Sequence, residues 1–203
     1  MIKKFLLQYH LDLYTAIVLI TIIGGILNLY SLSLVRKMLL AIMVIGLLHE
    51  WEEKRIPGGF FETVGVVWGW NLDNVDTRKP GLLVVCAWIV FIFIPLIFDN
   101  VIGLALGPMF LGVFELIVHN MGRVLTKIKK IYFPGLITAW IIGIVSLYCI
   151  AVLALNHMIS TEDVLLGLVF FVLVFGSLMS LVQKSAGSSL KRMITLMKKR
   201  IRE

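Results

Sequence analysis

The chain has 203 residues, 60% of them hydrophobic and only 15% charged, far more apolar surface than a soluble domain of this size can bury. Its net charge of +7 would raise nucleic acid as a partner in a soluble protein. No nucleic-acid module, glycine-rich phosphate loop or Gly-x-Ser-x-Gly elbow is present, so nucleic acid is not expected as a partner. The composition defines an all-α, polytopic helical membrane protein whose surroundings are the lipid bilayer.

In chain order, Met1-Ile2-Lys3-Lys4 begins as a secretory signal does, but Gln8-Tyr9-His10-Leu11-Asp12 is too polar for its apolar core. Residues 1–12 read as an interfacial lead-in to an uncleaved span. Apolar runs predict about six transmembrane helices, at 13–33, 36–53, 81–98, 102–122, 134–156 and 163–183, the fourth interrupted by Gly107-Pro108. Counted over the loops, seventeen of the nineteen Lys and Arg residues fall on one side and only Arg36 and Lys37 on the other. By the positive-inside rule both termini are cytoplasmic, in a multi-pass protein of the cytoplasmic (plasma) membrane. Residues 1–185 form a single transmembrane bundle. Within it, 57–80 begins with the turn Pro57-Gly58-Gly59 and continues as an aromatic stretch too short to span, a re-entrant or interfacial segment. Residues 186–203 form a basic tail, with Leu190, Met193, Ile194, Met197 and Ile201 at helical spacing. It suits an amphipathic helix on an anionic leaflet or a solvated, orienting tail. Cys86 and Cys149 lie within apolar runs and read as buried free thiols.

Ionisable residues at membrane depth are costly, so their positions carry the functional reading. His49, Glu52 and Glu53 stand at i, i+3 and i+4 at the end of the second span, while Glu50 points elsewhere. Glu115 and His119 stand at i and i+4 at the end of the fourth, on the same side of the membrane. The two pairs can therefore meet and offer two imidazoles and three carboxylates to one cavity. Such a set suits a divalent metal, zinc more than iron: His49, Glu52, His119 and Glu115 as ligands, with Glu53 as general base. The zinc-protease pattern His-Glu-x-x-His is not met, because Glu53 follows where the second His would stand. His10 and His157 lack carboxylates at matching spacing and read as structural; Asp99 and Asn100 read as turn-formers at the opposite face. Glu62 reaches the cavity only if the segment after Pro57 is re-entrant.

The run His49-Glu50-Trp51-Glu52-Glu53, followed by Pro57-Gly58-Gly59-Phe60, resembles the HXXEE-domain family of integral membrane proteins. His119 continues the resemblance, as does Lys129-Lys130-Ile131-Tyr132-Phe133-Pro134-Gly135-Leu136-Ile137-Thr138-Ala139, so it covers roughly residues 45–140. The resemblance implies His49, Glu52, Glu53 and His119 as functional residues and no particular activity; Glu115 is less typical of the pattern. CAAX-protease-like glutamyl membrane enzymes offer an analogy of site type only, since their motifs would require arginine at Pro57 and asparagine at Arg123.

The resulting expectation is a metal-assisted membrane hydrolase acting on a lipid, lipid-linked or membrane-embedded substrate at the cytoplasmic interface. Alternatives are a proton-coupled transporter using Glu53 and His119 as a relay, which with six spans would need a homodimer, and a non-catalytic interaction or immunity protein.

Overall fold

A computed structural model describes residues 2–28, 30–126 and 132–202. Lys127, Lys129 and Lys130, counted above in the charge bias, lie outside the described residues. Among the described residues eight α-helices follow in order: α1 (Ile2–Leu27), α2 (Leu34–Lys54), α3 (Phe60–Trp68), α4 (Arg78–Ile97), α5 (Ile102–Leu125), α6 (Leu136–Leu155), α7 (Thr161–Ser185) and α8 (Leu190–Arg202). A 3₁₀ turn at Leu72–Asn74 precedes α4, and no strand occurs among the described residues.

Among the described residues five helices, α1, α4, α5, α6 and α7, are long and apolar enough to cross a membrane. α2 is long enough, but Arg36 and Lys37 at its start and the acidic run at its end make it more polar. It is instead the most enclosed helix of the bundle, with Leu39, Ile42 and Met43 fully buried. Outward faces stay apolar: Val172 and Leu173 on α7 are 60% and 63% exposed, and Ile20 and Ile23 on α1 are exposed as well. Such a belt is stable only against a non-aqueous surrounding.

Polar contacts fix which helix ends lie together. At one end, Arg55 binds Asp12 at 2.5 Å and Trp51 Nε1 donates to Thr15 at 3.0 Å, joining the end of α2 to the first half of α1. The start of α4 joins them through Lys54 Nζ, which donates to the Gly81 carbonyl at 3.1 Å. Trp70 donates to Gln183 of α7 at 3.0 Å, bringing the end of α7 to the same place. At the opposite end, Asp99 takes a bond from Ser33 at 2.6 Å and pairs with Arg36 at 2.9 Å. There Asp163 closes a capping box with Ser160 and also accepts from the Gly103 amide at 2.9 Å.

The boundaries differ from the sequence reading in three places. α1 starts at Ile2 rather than 13, because Gln8, Tyr9 and Asp12 are tolerated on an exposed helical face. It ends at Leu27 rather than 33, where Gly24-Gly25 weakens the helix and Asn28 returns its amide to the Gly24 carbonyl. α5 runs unbroken through Gly107-Pro108: both are buried, Gly107 facing Phe170 of α7, and packing offsets the donor that proline lacks. Close approach of α5 and α6 depends on Gly143, where a Cβ would stand 2.7 Å from Leu116 Cβ. Cys149 is buried as expected, whereas Cys86 faces outward, and neither is in a disulfide.

α3 and α8 cover one end of the bundle. α3 buries Phe60, Phe61 and Val64, and α8 folds back so that Met193 is buried near Gln183. Arg200 donates to the Leu125 carbonyl at 3.1 Å, pinning the far end of α8 to α5. The apolar stripe of the tail thus faces protein along Met193, while Ile194 and Ile201 remain exposed beside its cations.

Candidate metal centre

The end of α2 and the last third of α5 meet beneath α3, and this contact brings the ionisable residues together. His49 and His119 stand edge to face, with ring centroids 4.8 Å apart. Glu53 Oε1 lies 3.4 Å from His49 Nε2 and 3.1 Å from His119 Nε2. Glu115 Oε2 lies 3.8 Å from His49 Nε2 and 3.4 Å from His119 Nε2. His49, Glu115 and His119 form a group whose ligand atoms all lie within 4.8 Å of one another, so the group can hold a metal ion. His49, Glu53 and His119 are almost wholly enclosed, at 2%, 5% and 0% exposure, and Glu115 is partly open to a cavity.

Glu52, expected as a ligand, is not brought to this cluster. Its carboxylate turns to the start of α6, accepting from the amides of Ile137 at 3.2 Å and Thr138 at 2.8 Å, and from the Thr138 hydroxyl. The Tyr132 hydroxyl adds a fourth donor at 2.8 Å. Burial, with the Glu52 carboxylate beside it, holds the Tyr132 hydroxyl above its ordinary range, so it stays a donor. A carboxylate at a helix N-terminus is favoured by the exposed amides and the helix dipole.

This arrangement sets the tautomer of His49. The Thr138 hydroxyl has one proton, and an ionised Glu52 can only accept, so that proton goes to Glu52. His49 Nδ1, 2.9 Å from the same oxygen, must then donate. In the neutral imidazole, the form that binds metal, Nε2 then carries the lone pair and faces the cluster, the usual support for a metal-ligating histidine. His119 is held by packing: Phe60 stacks on it at 5.2 Å and Phe133 meets it edge-on at 5.6 Å. Its Nδ1 has no hydrogen-bond partner among the described residues, and its Nε2 faces only the Glu53 and Glu115 carboxylates.

Gly135 completes the enclosure. Its φ is +82°, and a Cβ there would stand 2.8 Å from Glu53 Cγ and press on His119 as well. Tyr132, Gly135 and Thr138 all belong to the stretch that carries the family resemblance, and the resemblance implies no role for them. The structure gives each one a contact to the cluster or its support. Glu50 lies apart: fully buried, it binds Lys54 and takes a bond from Trp88 Nε1 at 2.8 Å. His10 Nδ1 donates locally to the Leu7 carbonyl, 3.0 Å away, and His157 occupies a left-handed turn with φ +54°. Neither joins the cluster.

Two cavities reach it. An apolar chamber of about 300 Å³ has His49, Glu53 and Glu115 among its walls, with Phe114, Phe175 and Met179 from the bundle and Met193 and Met197 from α8. A polar chamber of about 200 Å³ opens on the other side of Glu53 and includes His10, Lys54, Glu62 and Arg78. Glu53 and Phe61 border both. Compared with known protein families, with curated proteins and with solved structures, the chain matches none.

Proposed function

We propose that the chain is a metal-dependent membrane hydrolase, with His49, His119 and Glu115 holding a divalent ion and Glu53 acting as general base. One observation supports this above the rest. Around a tetrahedral ion with bonds of about 2.0–2.2 Å, neighbouring donors stand roughly 3.3–3.6 Å apart. The four separations between the two imidazole nitrogens and the two carboxylate oxygens run from 3.1 to 3.8 Å. Buried lone pairs of like polarity do not converge in this way without a cation or shared protons between them.

Two histidines and a carboxylate with one position left for water are the donor set of hydrolytic zinc sites; non-haem iron uses the same three donors, and zinc is favoured because hydrolysis needs no redox metal. With an ion held by His49, His119 and Glu115, Glu53 would face the position left for water, since its Oε1 lies 3.4 Å from His49 Nε2 and 3.1 Å from His119 Nε2. The ion would supply an acidified water there, and Glu53 would be the base that takes its proton and returns it to the departing oxygen or nitrogen of the hydrolysed carbonyl compound. Glu52 then acts through Thr138 on His49, as a positioning residue. The apolar chamber supports a lipid or lipid-linked substrate, and the resemblance to the HXXEE-domain family accords with a site at His49 and His119.

Hydrolysis of a panel of detergent-solubilised fatty esters and amides tests the reading. Activity should vanish with a chelator and return with zinc, and Glu53→Gln should keep the ion but lose turnover. Turnover that survives both treatments, or pH-gradient-driven flux in liposomes with no turnover, would overturn it.

A further inference from the structure

The apolar and polar chambers share Glu53 and Phe61 and nothing else of either lining, so Glu53 stands at a boundary between two chemically opposite spaces. The polar chamber has a distinctive charge balance. Its two strong cations are already neutralised, Lys54 by buried Glu50 and Arg78 by Asp76 at 2.7 Å. His10, half-buried, is turned to the Leu7 carbonyl. Glu62, exposed at the first turn of α3 on the chamber's rim, has no ion-pair partner among the described residues. An anionic group placed here would meet an unopposed carboxylate, and an ammonium group would satisfy it.

From this juxtaposition we propose that the site binds a single-chain amphiphile with an ammonium-bearing head. The chain lies in the apolar chamber beneath α8, the head lies beside Glu62, and the junction between them lies at Glu53. The inference rests on the hydrolase reading for what happens at the junction, but not for binding itself. The chamber of about 300 Å³ is at the low end of the range of small-molecule sites, which fits one chain rather than two. Its methionines, Met179, Met193 and Met197, suit a flexible ligand because they repack readily.

Gly176 provides a clean way to block it. It lies on the wall of the apolar chamber, and a Cβ added there meets no atom within 4 Å. Gly176→Phe is thus accommodated at its Cβ, and its ring is placed at the chamber wall. Two photoactivatable probes of equal chain length, an alkyl trimethylammonium and an alkyl phosphate with a diazirine in the chain, are presented to the protein in nanodiscs of neutral lipid. Labelled peptides are then mapped by mass spectrometry.

The ammonium probe should label the Met179 and Met193 peptides in preference to the phosphate probe, and Gly176→Phe should suppress that labelling while bound metal is unchanged. Glu62→Arg should move the preference toward the phosphate probe by roughly threefold, the size of an exposed ion pair. Equal labelling of wild type and Gly176→Phe overturns the chain site. A wild-type preference for phosphate, or a preference that Glu62→Arg does not move, overturns the head site. Selective labelling of a protein that binds no metal supports the amphiphile site and refutes the hydrolase reading alone.

Discussion

Thr138→Val removes a single hydroxyl at nearly constant shape and isolates the support of the metal centre from the centre itself. The hydroxyl stands between Glu52 and His49 Nδ1, 2.9 Å from the latter. Without it, Glu52 keeps the two α6 amides and Tyr132, so its own position is still held by three donors. His49 loses its only partner on that side, and a buried donor left unmade costs about 1–3 kcal/mol. Part of that cost falls on folding and part on the orientation of Nε2. Loss of such an outer partner lowers metal affinity by about 10–100-fold, equivalent to about 1.4–2.7 kcal/mol. Competition against a fluorescent zinc chelator in mild detergent reads the change directly, with thermal unfolding of the same samples as control. Thr138→Ser, which keeps the hydroxyl, should recover most of the affinity. Wild-type zinc affinity in a Thr138→Val protein would refute the assignment of His49 as a ligand oriented by Glu52 through Thr138.

Gly135→Ala and Gly59→Ala form a matched pair, since both residues have positive φ, +82° and +88°, and both substitutions cost about 1–2 kcal/mol of backbone strain. Only at Gly135 does the new methyl meet Glu53 and His119, so only that variant should lose zinc in equilibrium dialysis. Glu50→Ala leaves Lys54, 9% exposed, without its counter-ion and should lower stability by about 3–5 kcal/mol in denaturant titrations. The Glu50→Ala/Lys54→Ala double variant should recover part of that loss, and neither should release the metal, because this pair lies outside the cluster. A double variant as unstable as Glu50→Ala alone would show that the pair contributes through packing rather than charge.

Much of the site was legible because two pairs at i, i+4 on helices ending at the same side have few ways to avoid one another. His49, Glu53, Glu115 and His119 follow from that spacing and from the distribution of lysine and arginine. The choice between Glu52 and Glu53 did not follow. Positions i+3 and i+4 lie about 100° apart around a helix, on either side of i, and rotation of α2 against its neighbours decides which one faces α5. Packing turned Glu53 inward to α5 and left Glu52 to the start of α6. The roles of Tyr132, Gly135 and Thr138 depend on a loop whose path no periodicity encodes. Helix α1 extends further back than hydropathy suggests because polar side chains at an exposed helix end do not interrupt backbone hydrogen bonding. The docking of α8 was hidden for a similar reason: an amphipathic stripe shows that a face is apolar, not what covers it.

The central claim is that His49, His119 and Glu115 hold a divalent ion. Its most direct test is mass-spectrometric metal analysis of the untagged protein in mild detergent, beside a His49→Ala/His119→Ala variant with unchanged helical content. The account predicts stoichiometric zinc in the wild type and none in the variant. Zinc-free wild type after gentle reconstitution, or equal metal in both proteins, would contradict it.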